Sequence, residues 1–457
     1  MVSNDLIEVV SSAKDLIDNW LDYQVYINEL PGLAVGISIE DEIVFQKAYG
    51  YANQKTKEKF TKNHLFRIAS QTKLFTATAI MMLYDRGKLS LDDKVSKYLP
   101  WFTSDKDDNI QHITIRHLLT HTSGLSCDGK RKQSGLVQTI TLEEIKEQIK
   151  EGLSVARTNE AVKYSNIGYV ILGQIIEAVT TKKYGDFVQK EILEPLKMMN
   201  THIDVSEENK SQHATGHGMK YPQKEREIFS LYPSKIYQPA SGLSSTVEDI
   251  IKFHRAHLYD NEILLSDDLK REMQRIQVKM GNDIRGLGFC LSNNPEGKIL
   301  SHVGGDLGYR SISGFVQDGK IIVAVFINAS NVNINDFFYS LIHLIETLNS
   351  MKNSFLPKID SPPDFQEISG FYESLPGWGP ELLCQINSKL VLLNPESMYP
   401  GGSMQILCDK GSNMFTPTAE TPTAKPGEDI QFIKNLEGKI IYIDSKKGEH
   451  HRLSFSY

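Results

Sequence analysis

Cysteine is scarce in this sequence, which has four cysteines in 457 residues and no C-x-x-C pair. So few cysteines at such wide spacing form neither a disulfide framework nor a zinc knuckle. We expect buried thiols in a reducing compartment. A bridge between Cys384 and Cys408 is the alternative that the sequence leaves open.

Long apolar runs are missing too. The longest, such as residues 321–329, reach about half of the ~20 residues that a membrane-spanning helix needs, so we expect no membrane span. The first residues, MVSNDLIE, lack the basic and apolar regions of a secretory signal. They predict a cytoplasmic protein, or an extracytoplasmic one if a leader has been removed.

An excess of positive charge is also absent, since 50 Lys and Arg stand against 57 Asp and Glu and the net charge is −7. This balance argues against nucleic acid as the main partner. The rest of the composition, 40% hydrophobic and 23% charged, is that of an ordinary globular protein. At about 150 residues per domain, the length predicts two or three domains.

The order of the predicted elements indicates an α+β fold. Two β-rich runs within residues 33–48 flank an acidic turn and predict a hairpin, and strand character returns at 286–328. Between them lie mostly helices and loops. One helix, from Ser70 to about residue 86, is apolar on every side and therefore belongs to a core. We expect one antiparallel sheet flanked by helices, with a large helical insertion between its strands.

The composition changes after residue 350. Residues 351–363 carry three prolines and predict a linker. Beyond them, residues 364–457 contain several short β-rich runs joined by turns, which is the pattern of a small antiparallel β-barrel or sandwich. The predicted domains are therefore residues 1–350, the linker 351–363 and the C-terminal β-domain 364–457.

Several common catalytic and binding signatures are missing. The sequence contains no complete G-x-S-x-G, H-E-x-x-H, Walker A or G-x-G-x-x-G motif. His117 and His121 stand four residues apart and could share a helical face, but no acidic partner is near them. This pattern favours a packed, hydrogen-bonded loop over a metal site. We expect no cofactor and no metal ion.

A serine–lysine pair is the first candidate for chemistry. The spacing of Ser70 and Lys73 places both side chains on one face of a helix, one turn apart. At a helix start, free N–H groups and the helix dipole favour developing negative charge on Ser70. On an otherwise apolar helix, Lys73 would lose proton affinity and act as a base near neutral pH. The alternative is a capping Ser70 and a Lys73 that reaches the surface.

Two later motifs decide between these interpretations. Tyr164 and Asn166 form Y-x-N directly before an apolar helix, and His302 and Gly304 form H-x-G after a strand-like stretch. S-x-x-K, Y-x-N and H-x-G in this order resemble the three active-site motifs of the serine β-lactamase and penicillin-binding protein family. The branch that they resemble contains class C β-lactamases, DD-peptidases, esterases and D-aminopeptidase-like enzymes.

Three further segments extend the resemblance. HLLTHTSGL, QPASGLSSTVEDIIKF, and RGLGF followed by HVGGDLGY are similar to segments of the same family, so the resemblance covers roughly residues 25–348. Some members of the family also carry a C-terminal lipocalin-like β-domain, which fits residues 364–457. The resemblance therefore implies a β-lactamase/transpeptidase-like catalytic domain followed by a lipocalin-like barrel.

The resemblance also implies residue roles. Ser70 would attack a carbonyl and form an acyl-enzyme. Lys73 and Tyr164 would share the base role, taking the Ser70 proton and later protonating the leaving group. Asn166 would hydrogen-bond Lys73 and the substrate amide. The oxyanion would lie between the backbone N–H groups of Ser70 and Gly305, the residue after H-V-G.

One position departs from the β-lactamases and DD-peptidases, which usually have lysine where this chain has His302. A histidine there recurs in the esterase and D-aminopeptidase-like branch. Because histidine is largely neutral at pH 7, it weakens the case for efficient β-lactam hydrolysis. Arg310 could supply a carboxylate clamp instead, and Asp306 could hold a free amino group. For each of the two, a solvated turn residue is the alternative.

Together these features predict a serine hydrolase that forms an acyl-enzyme with small amides or esters, D-amino-acid peptides among them. A class C-like β-lactamase or DD-carboxypeptidase is the alternative within the same chemistry. A non-catalytic binding or scaffold protein is the alternative of another class, and such a protein would usually show a broken motif. The expected partners are a small-molecule or peptide substrate, and β-lactams as inhibitors. The sequence does not set the oligomeric state.

Overall fold

The computed structural model describes residues 4–129, 140–221, 224–294, 297–356, 364–374, 379–418, 429–435, 440–445 and 448–452. These residues form two compact units, neither of which is continuous along the chain. The first unit draws on residues 1–30, 38–45 and 335–457, and the second on residues 31–37 and 46–334.

The described residues form runs of helices that are separated by runs of strands. In chain order, the helices are α1 (Asn4–Ser12), α2 (Lys14–Ile27), α3 (Thr72–Asp85), α4 (Ile115–Leu119), α5 (Leu142–Glu151), α6 (Asn166–Thr180), α7 (Tyr184–Val188), α8 (Gln238–Ser241), α9 (Val247–Arg255), α10 (Asp267–Gln274), α11 (Ile334–Ser350), α12 (Lys352–Phe355) and α13 (Pro400–Ser403). The strands are β1 (Gly32–Ile39), β2 (Glu42–Asn53), β3 (Glu58–Lys59), β4 (Phe66–Arg67), β5 (Gly216–His217), β6 (Ile228–Phe229), β7 (Ser244–Ser245), β8 (Val278–Met280), β9 (Asp283–Arg285), β10 (Cys290–Asn294), β11 (Gly297–Asp306), β12 (Tyr309–Val316), β13 (Ile321–Ile327), β14 (Gly370–Ser374), β15 (Pro380–Ile386), β16 (Lys389–Leu393), β17 (Gln405–Gly411), β18 (Met414–Pro417), β19 (Ile430–Lys434), β20 (Ile440–Ser445) and β21 (Gly448–Arg452).

A nine-stranded sheet has most of its residues in the second unit, while residues 38–45, in β1, β2 and the turn between them, are grouped with the first. Its order is β3-β2-β1-β13-β12-β11-β10-β9-β8, and the strands from β8 to β13 pair antiparallel with one another. The turn that contains Asp318 and Gly319 joins β12 to β13, where the sequence predicted a hairpin. Because β13 is apolar throughout, it is buried at every position, as is expected of a central strand.

Two helices of the insertion, α3 and α6, pack on each other and on the short α8. Both are apolar around most of their circumference and are therefore buried on most sides. Gly173 of α6 makes the contact with α8 close, since a Cβ atom there would overlap the ring of Pro239. This packing brings the first turns of α3 and α6 together.

An antiparallel barrel lies in the first unit. It comprises β14 to β21 and is closed by pairing between β14 and β21. The N-terminal α2 belongs to the same unit and contacts β15. There Gln24 donates from Nε2 to the carbonyl oxygen of Pro395 at 2.8 Å, and the ring of Tyr23 stacks on that of Phe371 at 5.7 Å.

The α+β class and the small C-terminal barrel are confirmed. All four cysteines are free thiols, so the open alternative of a Cys384–Cys408 bridge is not realised. Of the predicted linker, residues 357–363 lie outside the described residues, and the domain boundaries stay predictions. In the part of the chain that the structure describes, no helix combines the length and the apolar character needed to cross a bilayer.

Candidate active site

Ser70 lies on a tight turn between a short strand and the core helix. After β4, a 3-10 turn at Ala69–Gln71 leads directly into α3. Ala69 has a φ of 49°, a left-handed conformation that costs an L-residue about 1–2 kcal/mol. The hydroxyl of Ser311 donates to the carbonyl oxygen of Ile68 at 2.8 Å and holds the turn from the side of the sheet. Neighbouring elements therefore maintain a conformation that the turn would not adopt alone.

Lys73 is fully buried in the first turn of α3. Its Nζ donates to Ser70 Oγ at 3.1 Å, to Asn166 Oδ1 at 2.7 Å and to the carbonyl oxygen of Ala240 at 2.8 Å. Burial lowers the pKa of Lys73 to about 7. Near neutral pH, a large share of the protein therefore carries an uncharged amine beside the Ser70 hydroxyl.

The loop before α6 places Tyr164 and Asn166 beside Lys73. Nζ of Lys73 lies 4.9 Å from the centre of the Tyr164 ring. Burial raises the pKa of Tyr164, although a hydrogen bond with Ser70 lowers it in part, so the phenol keeps its proton. Asn166 is the first residue of α6, and its Nδ2 donates to the Asp128 carboxylate at 2.8 Å. The side chains of S-x-x-K and Y-x-N thus meet in one place.

The third motif lies on β11, which packs on the turn that carries Ser70. Gly304 pairs with Ser311 of β12, and a Cβ atom at position 304 would overlap the Ile68 carbonyl oxygen and the Ser311 hydroxyl. Glycine is needed here because β11 and the turn approach so closely. Gly305 follows and lines the same cleft as Ser70. The structure thus brings Gly304 and Gly305 to the predicted site.

His302 is buried on β11. Burial lowers the pKa of His302 to about 3, and the charges of Lys73 and Arg285 act in the same direction. Its Nδ1 lies 2.8 Å from the carbonyl oxygen of Val303, which assigns the ring proton to Nδ1. Nε2 is buried without a hydrogen-bond partner among the described residues. The ring is therefore neutral and does not supply the fixed charge of a lysine.

Asp306, at the end of β11, is engaged by protein partners. Its carboxylate lies 2.8 Å from Nε of Arg67 and accepts hydrogen bonds from the Tyr232 hydroxyl and from the Leu307 N–H. Arg67 is itself buried and also donates to the Tyr232 carbonyl oxygen at 2.6 Å and to Ser234 Oγ at 2.7 Å. Because the charge of Asp306 is balanced by this arginine, its attraction for a substrate amino group is weakened.

Arg310 lies half-buried on β12 and lines the cleft. Its Nη1 donates to backbone carbonyl oxygens, that of Tyr309 at 3.0 Å and that of Asp306 at 3.4 Å. No carboxylate of the described residues forms an ion pair with it. The cleft has a volume of about 540 Å³, which suits a small substrate. Ser70, Asn166, Gly305 and Arg310 all contribute to its walls.

Three residues at the site were not identified from the sequence. Asp128 and Tyr232 line the cleft, and Arg67 pairs with the acid that ends β11. Only Arg67 had a usable signal, as a single cation in the apolar run L-F-R-I-A directly before Ser70. A buried cation needs an anionic partner, so that run predicts one without telling which residue it is.

Comparisons with known proteins cover this site. The family model described as Beta-lactamase matches residues 17–336. Penicillin-binding protein 4* of Bacillus subtilis (strain 168) is 32% identical over 292 residues, which cover 59% of this chain and 62% of that protein. The chain therefore spans less than two thirds of the length of this relative.

Two solved structures share the fold. D-amino acid amidase from Ochrobactrum anthropi SV3, complexed with D-phenylalanine, is 26% identical with a TM-score of 0.60, and the likeness covers 69% of this chain and 91% of that chain. The octameric penicillin-binding protein homologue from Pyrococcus abyssi is 23% identical with a TM-score of 0.61, and the likeness covers 95% of this chain and 99% of that chain.

Proposed function

Because this chain belongs to the beta-lactamase family, we propose that it is a serine hydrolase that acts through an acyl-enzyme on small amides or esters. The observation that carries the proposal is Lys73, a fully buried amine 3.1 Å from the Ser70 hydroxyl. A buried lysine with a structural task is normally paired with a carboxylate. The hydrogen-bond acceptors of Lys73 among the described residues are all neutral oxygens, which suits a group that gains and loses a proton.

In the proposed mechanism, neutral Lys73 accepts the hydroxyl proton while Ser70 Oγ attacks the substrate carbonyl carbon. Tyr164, which keeps its proton because burial raises its pKa, donates to the leaving amine or alkoxide as the C–N or C–O bond breaks. The proton on Lys73 then passes to the Tyr164 phenolate, which restores both groups. Water attacks the acyl-enzyme and gives a proton to Lys73, the C–O bond to Ser70 breaks, and the Ser70 oxygen takes up that proton as the carboxylic acid is released. The opposite pKa shifts support a division of the expected shared role, with Lys73 as the base and Tyr164 as the acid.

The oxyanion of this reaction would lie between the backbone N–H groups of Ser70 and Gly305. The close packing of β11 on the turn at Ser70, which Gly304 permits, supports this assignment. Loss of one such donor typically costs about 3 kcal/mol of transition-state stabilisation.

One charge at the cleft, that of Arg310, favours a substrate that carries a free carboxylate, while the Asp128 carboxylate in the same wall opposes it. Arg310 is a cation at the wall, whereas Asp306 is balanced by Arg67 and His302 is neutral. Class C-like β-lactamase or DD-carboxypeptidase activity is therefore the second candidate, and Arg310 is the observation that favours it. D-amino acid amides come next for testing, because a D-amino acid amidase is among the structural relatives.

Intact-mass spectrometry tests the proposed chemistry. The protein is exposed to a fluorophosphonate, a penicillin and a D-aminoacyl ester, and Ser70→Ala serves as the control. We expect a mass increase on the wild-type protein and none on the variant, which lacks the attacking oxygen. No mass increase with any probe would support the non-catalytic alternative instead. A mass increase on Ser70→Ala would show that another residue is the nucleophile.

The same measurement tests the carboxylate preference. Arg310→Ala should slow acylation by penicillin about 10-fold or more, since a hydrogen bond to a charged group contributes about 1.5–3 kcal/mol, and should leave the fluorophosphonate rate unchanged. Arg271→Ala, at an exposed arginine of α10, is the matched control. Equal effects on both probes would show that Arg310 does not bind the carboxylate.

The cytoplasmic location stays a prediction.

A further inference from the structure

His121 is a buried histidine that the proposed mechanism does not use. It follows α4, is 3% exposed and has a φ of 59°, so its backbone is in the left-handed region. The sequence singled it out with His117 as a weak metal candidate. The two rings instead have separate tasks, since Nδ1 of His117 accepts the Thr114 N–H within the capping box of α4.

His121 contacts three consecutive residues around the catalytic tyrosine. Its carbonyl oxygen accepts the N–H of Lys163 at 2.8 Å, and its Nδ1 accepts the N–H of Ser165 at 3.1 Å. Between these two hydrogen bonds, its ring lies against that of Tyr164 with centroids 4.4 Å apart and planes inclined by 33°. His121 thus holds the ring of Tyr164 and the residues on both sides of it, through its own side chain and backbone.

The ring of His121 also contacts the pair of aromatic rings beside Lys73. Its centroid lies 5.2 Å from that of Tyr169, whose hydroxyl donates to the Leu119 carbonyl oxygen at 3.0 Å. Nζ of Lys73 lies 4.9 Å and 5.5 Å from the centres of the Tyr164 and Tyr169 rings. A displacement of the Tyr164 ring would therefore change its distance to both Lys73 and Ser70.

We propose that His121 is a positioning residue for Tyr164, which fixes the phenol ring so that its hydroxyl stays within reach of Ser70. This inference rests on the proposed function, because it gives Tyr164 a part in proton transfer. It requires a neutral ring with the proton on Nε2, since Nδ1 accepts the Ser165 N–H. Burial, with the charge of Lys73 next, lowers the pKa of His121 well below its usual range, which keeps the ring neutral.

Two substitutions separate the contacts of His121. Asparagine tolerates the left-handed backbone, and its Oδ1 can accept the Ser165 N–H, so His121→Asn removes mainly the ring contact. Phenylalanine keeps a ring against Tyr164 but offers no acceptor, so His121→Phe removes mainly the hydrogen bond. His117→Asn is the matched control, because His117 also accepts a backbone N–H through Nδ1, while its Nε2 lies 2.9 Å from Nδ2 of Asn159.

The experiment is a double-mutant cycle with Tyr164→Phe, in which the rate of Ser70 labelling by a D-aminoacyl ester is measured for every combination, because this reaction expels an alkoxide that Tyr164 would protonate. With Tyr164 present, each His121 variant should slow labelling by about 10- to 100-fold, since small misplacements of catalytic groups cost this much. With Tyr164→Phe, the same substitutions should change the rate by no more than about 2-fold, because no hydroxyl remains to be positioned. His117→Asn should have no effect in either background.

Equal losses in the two backgrounds would overturn the proposal, because His121 would then act on the site as a whole. Unchanged rates with a His121 variant that is folded by circular dichroism would overturn it too. Where one variant fails to fold, the other decides. If Tyr164→Phe itself labels at the wild-type rate, it is the proposed function that fails, and the two failures are thus distinguishable.

Discussion

At the scale of single residues, the site combines two opposite pKa shifts. Burial lowers the pKa of Lys73 to about 7 and raises that of Tyr164. Burial is opposed at Lys73 by Cys127 and next by the negative charge of Asp128, both of which raise its pKa. The Asp128 carboxylate is connected to Lys73 through the amide of Asn166, which donates to the one and accepts from the other. Asp128 therefore helps to set how far the pKa of Lys73 lies below the ordinary lysine range.

The pH dependence of labelling should follow the protonation of Lys73. We expect the rate of fluorophosphonate labelling at Ser70 to rise with pH around a midpoint near 7, because only the uncharged amine accepts the serine proton. Asp128→Asn should move this midpoint to lower pH. The ammonium loses a favourable charge, while the new side chain keeps an oxygen that can accept from Asn166. The measurement is the labelling rate between roughly pH 5 and pH 9.

Asp108→Asn is the control for this prediction, since Asp108 is exposed and its partners among the described residues are His112 and Gln111 rather than Lys73 or Asn166. Its midpoint should equal that of the wild-type protein. A midpoint that stays in place or moves to higher pH in Asp128→Asn would contradict Lys73 as the base.

The sequence predicted that Ser70, Lys73 and Asn166 lie close together. Each motif is short enough to be recognised locally, and the family resemblance indicates that S-x-x-K and Y-x-N belong to one site. It left the role of Asp306 open, because its partner Arg67 is distant along the chain. Only the fold brings β4 next to the end of β11 and gives that carboxylate a buried cation. Charge balance inside a protein depends on such long-range pairs, which local spacing does not encode.

At the scale of elements, the turn at Ser70 is held from two sides. On one side, the Ser311 hydroxyl of β12 donates to the Ile68 carbonyl oxygen. On the other, the Ile68 N–H donates to the carbonyl oxygen of Leu243 at 3.1 Å, and the Leu243 N–H donates to Thr72 Oγ1 at 3.1 Å. The left-handed Ala69 lies within this arrangement. The direction of the serine side chain is thus a property of several elements together.

Gly304→Ala should disturb this arrangement. Its Cβ atom would overlap backbone and hydroxyl atoms of the turn and of β12, so β11 has to move away. We expect a loss of about 1–3 kcal/mol in the free energy of unfolding and a fall of about 10-fold or more in Ser70 labelling. Urea denaturation and the labelling rate are the two measurements. Gly402→Ala is the control, because the nearest atom lies 3.9 Å from the new Cβ, and it should change neither the free energy of unfolding nor the labelling rate. Full activity in Gly304→Ala would show that the close packing of β11 is dispensable.

Element boundaries were predicted best where local chemistry decides them. The Asp318-Gly319 dipeptide lies in the turn between β12 and β13, because its conformational preference is local. The predicted helix at Ser70 instead begins as a 3-10 turn, and α3 starts at Thr72. The difference comes from the left-handed Ala69 and its neighbours in the sheet, which are tertiary effects.

At the scale of the whole molecule, the compact units do not follow the order of the chain. The sequence placed a boundary at residues 351–363, where the prolines are, and assigned everything before it to one domain. In the structure, residues 1–30 and 335–350 group with the barrel. The polar contact of Gln24 with Pro395 and the stacking of Tyr23 on Phe371 show why. Such contacts join distant segments and leave no mark in local composition.

Removal of the barrel should therefore lower stability without removing the chemistry. In a chain ended at residue 350, α2 loses its contacts with β15, and the unfolding temperature should fall by several degrees, since about 1 kcal/mol corresponds to roughly 2–4 °C in proteins of about 150–250 residues. Gln24→Ala in the full chain, which removes one of the same contacts, should show a smaller shift in the same direction. Labelling at Ser70 should persist, because the candidate site residues all lie within residues 46–334. A shortened chain that is folded by circular dichroism yet takes up no fluorophosphonate would show that the barrel contributes to the site.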